Sequence, residues 1–208
     1  MNLTNKLLVS KQNMLPVGRD SERLVVHVFM HNHRGAVGMQ LNGKVVSSLK
    51  HIFLKPVFNT PEGHFPTLKD MMVAKELDSL PLYYGGPSKT EGIYFVHGHE
   101  DLMDVTGRDW EPTQHPEKPS GNELINGVYF GSPFTFGHIV ERGLFAEGRF
   151  RFLTGQFKWY ATQLETEIEA GYWEVVEPEP DIFFSIEKCE SLIPMRDKAF
   201  TSVNPSVN

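Results

Sequence analysis

Four histidines stand in two closely spaced pairs that could bind a metal ion. His31 and His33 occur in "HNHRGAVG", and His97 and His99 occur in "HGHE". Residues two apart on an extended strand point to the same face, so each pair would present two imidazoles together. Four converging imidazoles would suit zinc, copper or nickel. Short His-x-His spacings are weak signals, however, and ordinary hairpin turns explain them as well. We therefore predict no metal site and no cofactor, and keep a metal- or small-molecule-dependent enzyme as an alternative.

The remaining reactive side chains do not form a recognisable catalytic motif. The glycines of "GAVG" and "YYGGP" lack phosphate-loop spacing, so Gly85 and Gly86 are expected at a bend where two backbones approach closely. Cys189 is the single cysteine and has no reactive context, which favours a small buried side chain. In "TQLETEIEAG", Thr162 and Glu165 are spaced as a capping box, and the other acids are expected on a solvated face. No catalytic residue is predicted.

Composition indicates a soluble globular protein. The chain has 208 residues, 40% hydrophobic and 22% charged, with a net charge of −6 and one cysteine. The acidic balance argues against a dedicated nucleic-acid binder, which usually carries a basic surplus. A single cysteine allows no internal disulfide and favours a reducing compartment. The N-terminus lacks the apolar segment of a secretory signal, and no apolar run is as long as a membrane span. We therefore expect a cytoplasmic protein.

Hydrophobic periodicity predicts paired strands with short helices between them. Apolar, β-branched runs at 23–30 and 36–42 flank a short link and predict a hairpin whose first strand is buried on both faces. Leu49, Ile52 and Phe53 predict one face of a helix, with Ser47 or Ser48 as its N-cap. Residues 99–126 are polar and rich in proline, glycine and acids, and are expected to form a long exposed loop. The fold class is α+β around a largely antiparallel sheet, in one domain over residues 1–194 with a disordered tail over 195–208.

Several segments in order resemble the AlgH/YqgE family. They are "RLVVHVFMHNHRGAVGMQLNGKV", "LPLYYGGP", "GIYFVHG" and "LTGQFKWYATQLETEIEAGYWEVV", and they cover roughly residues 5–187. The chain departs from the family pattern at Met30, where an acid is usual, at Thr162, where glycine is usual, and in the length of 99–126. The resemblance implies a bulged sheet curled into a pseudo-barrel. The resemblance implies no known reaction. It implies a regulator related to transcription.

These observations predict a non-enzymatic regulatory protein that acts through contacts with another macromolecule, most simply a protein. The long loop, the Gly-Gly-Pro turn and the edge near "GQFKWY" are the predicted contact surface. Its candidate residues are Tyr84, Gly85, Gly86, Pro87, Trp110, Phe157, Lys158 and Trp159, with Trp110 as a candidate aromatic anchor.

Direct nucleic-acid binding is the alternative that basic residues suggest. Arg149, Arg151 and Lys158 interleave with aromatic residues, and a sheet face of this kind binds single strands if the basic side chains share one exposed surface.

Overall fold

One sheet of ten strands organises the part of the chain that the structure describes. The computed structural model describes residues 2–11, 23–49, 80–102, 123–131, 139, 142–144 and 148–193. The strands are β1 (Lys6–Ser10), β2 (Val25–Asn32), β3 (Gly35–Gln40), β4 (Val45–Ser48), β5 (Pro81–Tyr84), β6 (Ser88–His97), β7 (Glu123–Ile125), β8 (Val128–Gly131), β9 (Phe150–Tyr160) and β10 (Trp173–Val176). Their order is β10-β1-β2-β3-β9-β6-β8-β7, with β5 also paired to β9 and β4 paired to β5.

The sheet is mostly antiparallel and curls into a half-barrel, which confirms the predicted fold class. The exception among the described strand pairs is β5, which runs parallel to the first half of β9. The described helices are short: α1 (Gln163–Glu169), α2 (Ile186–Ser191), and two 3-10 helices at Glu100–Leu102 and Pro180–Phe183. None of the helices described is both long and apolar enough to cross a membrane.

The predicted hairpin is present and joins β2 to β3. Asn32 pairs with Gly35, which leaves His33 and Arg34 as a two-residue turn. Gly35 has a φ of 131°, and a Cβ atom there would lie 2.1 Å from the carbonyl oxygen of Trp159 on β9. Only glycine fits this position, because the backbones of β3 and β9 approach too closely for a side chain.

Strand β2 is buried on both faces, as its apolar composition predicts. Val25 and Phe29 face a core cluster that the C-terminal segment covers with Phe183. Val26 and Val28 face the opposite cluster, which α1 covers with Leu164. Successive side chains on a strand alternate between faces, so a strand between two cores is mostly apolar, and the exception inside β2 is the buried His27. The two helical segments therefore act as covers for a sheet that has two interior faces.

The helix predicted after a Ser47 or Ser48 cap is preceded by a strand. Residues Val45–Ser48 form β4, which pairs with β5, as the two β-branched valines favour. Residues 50–56, which carry the rest of that pattern, lie outside the described residues.

The predicted capping box at α1 is also wrong. Thr162 has a φ of 64°, in the left-handed region, and its side chain caps no backbone N–H. The Thr162 hydroxyl instead donates to the carbonyl oxygen of Ala161 at 2.6 Å. The end of the helix follows prediction, because Gly171 has a φ of 81° and lies just after the last turn.

The region predicted as one long loop contains regular structure at both ends. Glu100–Leu102 forms a 3-10 helix, and Glu123–Ile125 forms β7, which pairs with β8. The strand β7 was missed because its short apolar segment, "ELI", follows a long run of polar residues. Residues 103–122 and the predicted tail at 195–208 lie outside the described residues. The single-domain boundary remains a prediction.

Candidate functional site

The four histidines do not converge: His97 and His99 lie together, and His31 and His33 lie elsewhere. His97 and His99 are both buried, with ring centroids 6.2 Å apart, and His97 Nδ1 accepts a hydrogen bond from the His99 backbone at 3.3 Å. His31 lies on β2, and two strands, β3 and β9, separate it from the β6 strand of His97. His33 is exposed in the hairpin turn. The described residues contain no group of three side chains placed to hold a metal ion. The sequence spacing therefore does not translate into four converging imidazoles.

His31 links three separate parts of the fold. Its Nε2 atom lies 2.9 Å from Glu165 Oε1 on α1, and its Nδ1 atom accepts from the Leu3 backbone N–H at 3.3 Å. An Nδ1 atom that accepts must be unprotonated, so the tautomer with hydrogen on Nε2 satisfies both contacts. Glu165 therefore binds the His31 imidazole and does not cap the N-terminus of α1 as the capping box predicted. This role is structural, because it ties α1 and the N-terminus to β2.

Glu167 was predicted on a solvated face, but it is half-buried and accepts hydrogen bonds from three side chains. Its Oε2 atom accepts hydrogen bonds from Trp159 Nε1 at 2.9 Å and from Trp173 Nε1 at 2.8 Å. Its Oε1 atom accepts from Gln163 Nε2 at 2.9 Å. Both indoles are buried, and a buried indole N–H needs an acceptor. The sequence did carry a signal for this contact, because Trp159 and Trp173 flank the short acidic helix α1.

The Gly-Gly-Pro turn brings backbones into direct contact, as predicted for Gly85 and Gly86. A Cβ atom on Gly86 would lie 2.2 Å from the backbone carbon of Gln156, and one on Gly155 would lie 2.1 Å from the oxygen of Gly86. The Gly85 backbone N–H donates to the Thr154 oxygen at 2.6 Å, and its own oxygen accepts from Gln40 at 2.8 Å. These glycines let β5 and the following turn cross β9 without side chains between them.

This crossing brings together two segments that are far apart in the sequence and were predicted as one contact surface. The turn at Tyr84–Pro87 lies against the strand at Gln156 and Phe157. Pro87 and Lys158 are exposed, and Tyr84 and Phe157 are half-buried. Gly85, Gly86 and Trp159 are buried, so they support this surface without presenting side chains to a partner. Trp110, the predicted aromatic anchor, lies outside the described residues.

The three basic residues proposed for nucleic-acid contact do not share an exposed face. Arg149 and Lys158 are exposed, but Arg151 is 4% exposed. Its guanidinium lies over the Tyr83 ring, with Cζ 4.0 Å from the ring centroid. The prediction that all three form one basic surface is wrong, because the C-terminal segment covers the sheet face to which Arg151 points.

Arg151 and Cys189 are neighbours in the interior. Burial lowers the pKa of Arg151 below its usual value, and the nearby Cys189 and Tyr83 partly oppose that effect. Burial raises the pKa of the Cys189 thiol to about 11, although the Arg151 charge opposes the change. The thiol also donates to the carbonyl oxygen of Ile182 at 3.2 Å. A thiol with this pKa stays protonated near neutral pH and is a poor nucleophile, in line with the packing role predicted for it.

Known proteins with similar sequences match most of this chain. The profile of the AlgH-like family (DUF179) matches residues 7–193. A UPF0301 protein of Paraburkholderia phymatum is 30% identical over 188 residues, which cover 89% of this chain and 82% of that protein. A UPF0301 protein of Chlorobium luteolum is 26% identical over 183 residues, covering 88% of this chain and 78% of that protein.

Solved structures show the same fold at low sequence identity. The solution structure of the AlgH protein from Pseudomonas aeruginosa has a TM-score of 0.57 and 18% identity, and covers 97% of this chain and 90% of that one. A crystal structure from Corynebacterium diphtheriae has a TM-score of 0.57 and 16% identity, and covers 94% of this chain and 89% of that one. Because the family profile spans most of the chain, the chain belongs to the AlgH-like family.

Proposed function

We propose that this chain is a non-enzymatic regulatory protein of the cytoplasm that acts by direct contact with a protein partner, with transcription as one possible setting. The observation that carries the proposal is the exposed edge at β4. Val45 is 57% exposed and Val46 is 50% exposed, although both are apolar and adjacent. The exposure of both side chains leaves the start of β4 uncovered, while Ser47 and Ser48 are half-buried.

The edge of β4 is suited to strand addition. Within the described residues β4 pairs on one side only, with β5, and the register shifts between Val45 and Ser47. This bulge leaves Val46 as the extra residue, a feature over-represented at sheet edges and beside functional sites. An extended peptide can add to such an edge through main-chain hydrogen bonds, with apolar side chains giving specificity.

Charge indicates the kind of segment that would bind. Lys89 and Lys158 are exposed beside the Tyr84–Pro87 turn, although the whole chain carries a net charge of −6. Lys44 adjoins the turn directly, because its carbonyl oxygen accepts from the Tyr84 N–H at 2.9 Å. A locally basic border on an acidic protein favours an acidic partner segment and disfavours self-association. We therefore propose an extended segment with apolar and acidic residues as the ligand.

The test is quantitative affinity capture from the host with three forms of the full chain. The wild type is compared with the double variant Val45→Glu, Val46→Glu, which places negative charge on the proposed edge. Tyr160→Glu is the matched control, since Tyr160 is 76% exposed and lies about 20 Å further along β9 than Thr154, the last residue paired to β5.

We expect proteins captured by the wild type and by Tyr160→Glu to be lost from the double variant. A photo-reactive side chain at position 46 should then crosslink to one of them. Equal capture by all three forms would contradict the proposal. A crosslinked species destroyed by nuclease would instead support the nucleic-acid alternative, as would binding that weakens steeply with salt.

A further inference from the structure

Arg151 is a buried cation without oxygen acceptors in the described part of the chain. None of its three guanidinium nitrogens meets the geometry of a hydrogen bond there, and its polar neighbour is the weakly accepting Cys189 thiol. The contact with the Tyr83 ring offsets part of the cost of burial by a cation–π interaction. It does not satisfy the N–H groups, which lie in the plane of the guanidinium and not along its face. A buried guanidinium with five unsatisfied donors is unfavourable unless an anion completes it.

Arg151 lines a cavity of about 450 Å³ between β5, β9 and the C-terminal helices. This volume lies within the range of small-molecule sites. Most of the wall is apolar or aromatic, and is contributed by Leu80, Pro81, Tyr83, Phe150, Phe152, Phe184 and Ile186. Arg151 is the buried charged group in this wall, so the negatively charged end of a bound ligand would lie next to it.

The rim carries charges of both signs. Glu187 lines the cavity and is exposed, and Arg149 lies with Cζ 5.8 Å from the Phe184 ring centroid. A carboxylate at the rim disfavours a ligand with several negative charges, such as a polyphosphate. A single anionic group at Arg151 and an apolar body along the aromatic wall would avoid that repulsion.

We propose that this cavity binds a small organic anion, with a carboxylate or phosphate group on the Arg151 guanidinium and an apolar or aromatic body against Tyr83, Phe150 and Phe184. The guanidinium fork matches carboxylate and phosphate oxygens in a bidentate arrangement. Its nitrogens are closed to water in this structure, so the anionic group would displace the Tyr83 ring that covers the guanidinium. The ligand thus supplies the acceptors that the described protein does not. The site is separate from the exposed edge at β4, whose valines do not line the cavity.

Direct titration of the purified full chain tests the proposal with defined probes. Benzoate and phenyl phosphate carry the expected head and body, benzamide is a neutral analogue of benzoate, and inorganic phosphate lacks the body. Binding is followed by amide chemical-shift changes and by calorimetry. We expect benzoate or phenyl phosphate to bind with shifts centred on β5, β9 and α2. Benzamide and inorganic phosphate should bind on the order of tenfold more weakly or not at all, because each lacks one of the two recognised features.

Three variants connect the binding to the cavity. Arg151→Met removes the cation and should weaken binding of the anionic probe on the order of 10- to 100-fold, the value of a hydrogen-bonded charge pair. Ile186→Trp fills the cavity from the opposite wall without altering Arg151 and should also abolish binding. Arg34→Met is the matched control, because Arg34 is exposed in the β2–β3 turn, and should bind like the wild type.

The proposal is overturned if the wild type binds none of the probes, or if benzamide binds as tightly as benzoate. It is also overturned if folded Arg151→Met binds like the wild type. Should Arg151→Met fail to fold, Ile186→Trp decides the question, and wild-type affinity in that variant would refute the site. Loss of probe binding with normal protein capture, or the reverse, separates this site from the proposed contact at β4.

Discussion

Glu167 should be worth far more stability than another glutamate on the same short helix. Replacing it with alanine removes the acceptor of both Trp159 and Trp173, whose N–H groups lie 2.9 and 2.8 Å from Oε2. Each buried donor left unsatisfied costs about 1–3 kcal/mol. Because Glu167 is half-buried, water can replace part of its role, and we expect a loss of about 3 kcal/mol. For a chain of this size that corresponds to a fall in Tm of about 6–12 °C.

Urea denaturation followed by tryptophan fluorescence measures this loss, with Glu169→Ala as the control. Glu169 is exposed, lies on the same helix and undergoes the same chemical change, so its loss should stay within about 0.5 kcal/mol. Glu167→Gln keeps one oxygen acceptor for the indoles but places an amide nitrogen toward Gln163, so it should fall between the two. If Glu167→Ala is no more destabilising than Glu169→Ala, the carboxylate does not hold the two indoles.

Two further outcomes follow from the interior. Gly155→Ala should cost about 3 kcal/mol or more, from left-handed backbone strain plus a backbone clash, because its Cβ would lie 2.1 Å from the Gly86 oxygen. Gly127→Ala has the same φ of 78° with nothing within 4 Å, and should show only the backbone strain of about 1–2 kcal/mol in thermal unfolding; equal losses would refute the tight crossing. The Cys189 pKa of about 11, against 9.0 for an unburied thiol, means that stability is intact below pH 9 and falls as pH rises toward 11. Burial also raises the pKa of Tyr94, so both proteins should lose stability at alkaline pH. The wild type should lose about 1.4 kcal/mol more than Cys189→Ala at pH 10, and identical pH profiles for the two proteins would show that the thiol is not buried.

Local patterns were sufficient where a segment's own residues determine its structure. The hairpin at His33 and Arg34 was predictable because two β-branched runs flank a short polar turn closed by Gly35. The close contact at Gly85 and Gly86 was also predictable, since paired glycines mark places where side chains do not fit. The strand at Val45–Ser48 was not, because its pairing with β5 involves residues more than thirty positions away.

The order of apolar and polar residues by itself determined that this chain builds a largely antiparallel sheet with short helices. It could not determine which polar side chains remain at the surface. Alternation in "FRFLTG" places Arg151 on a face opposite Phe152, and that face would be solvated in a sheet with a single core. Here both faces are covered, so Arg151 is buried beside Cys189 and Glu167 accepts two indole N–H groups. Only the tertiary structure decides this, because the burial of a strand residue depends on segments that pack over the sheet from elsewhere in the chain.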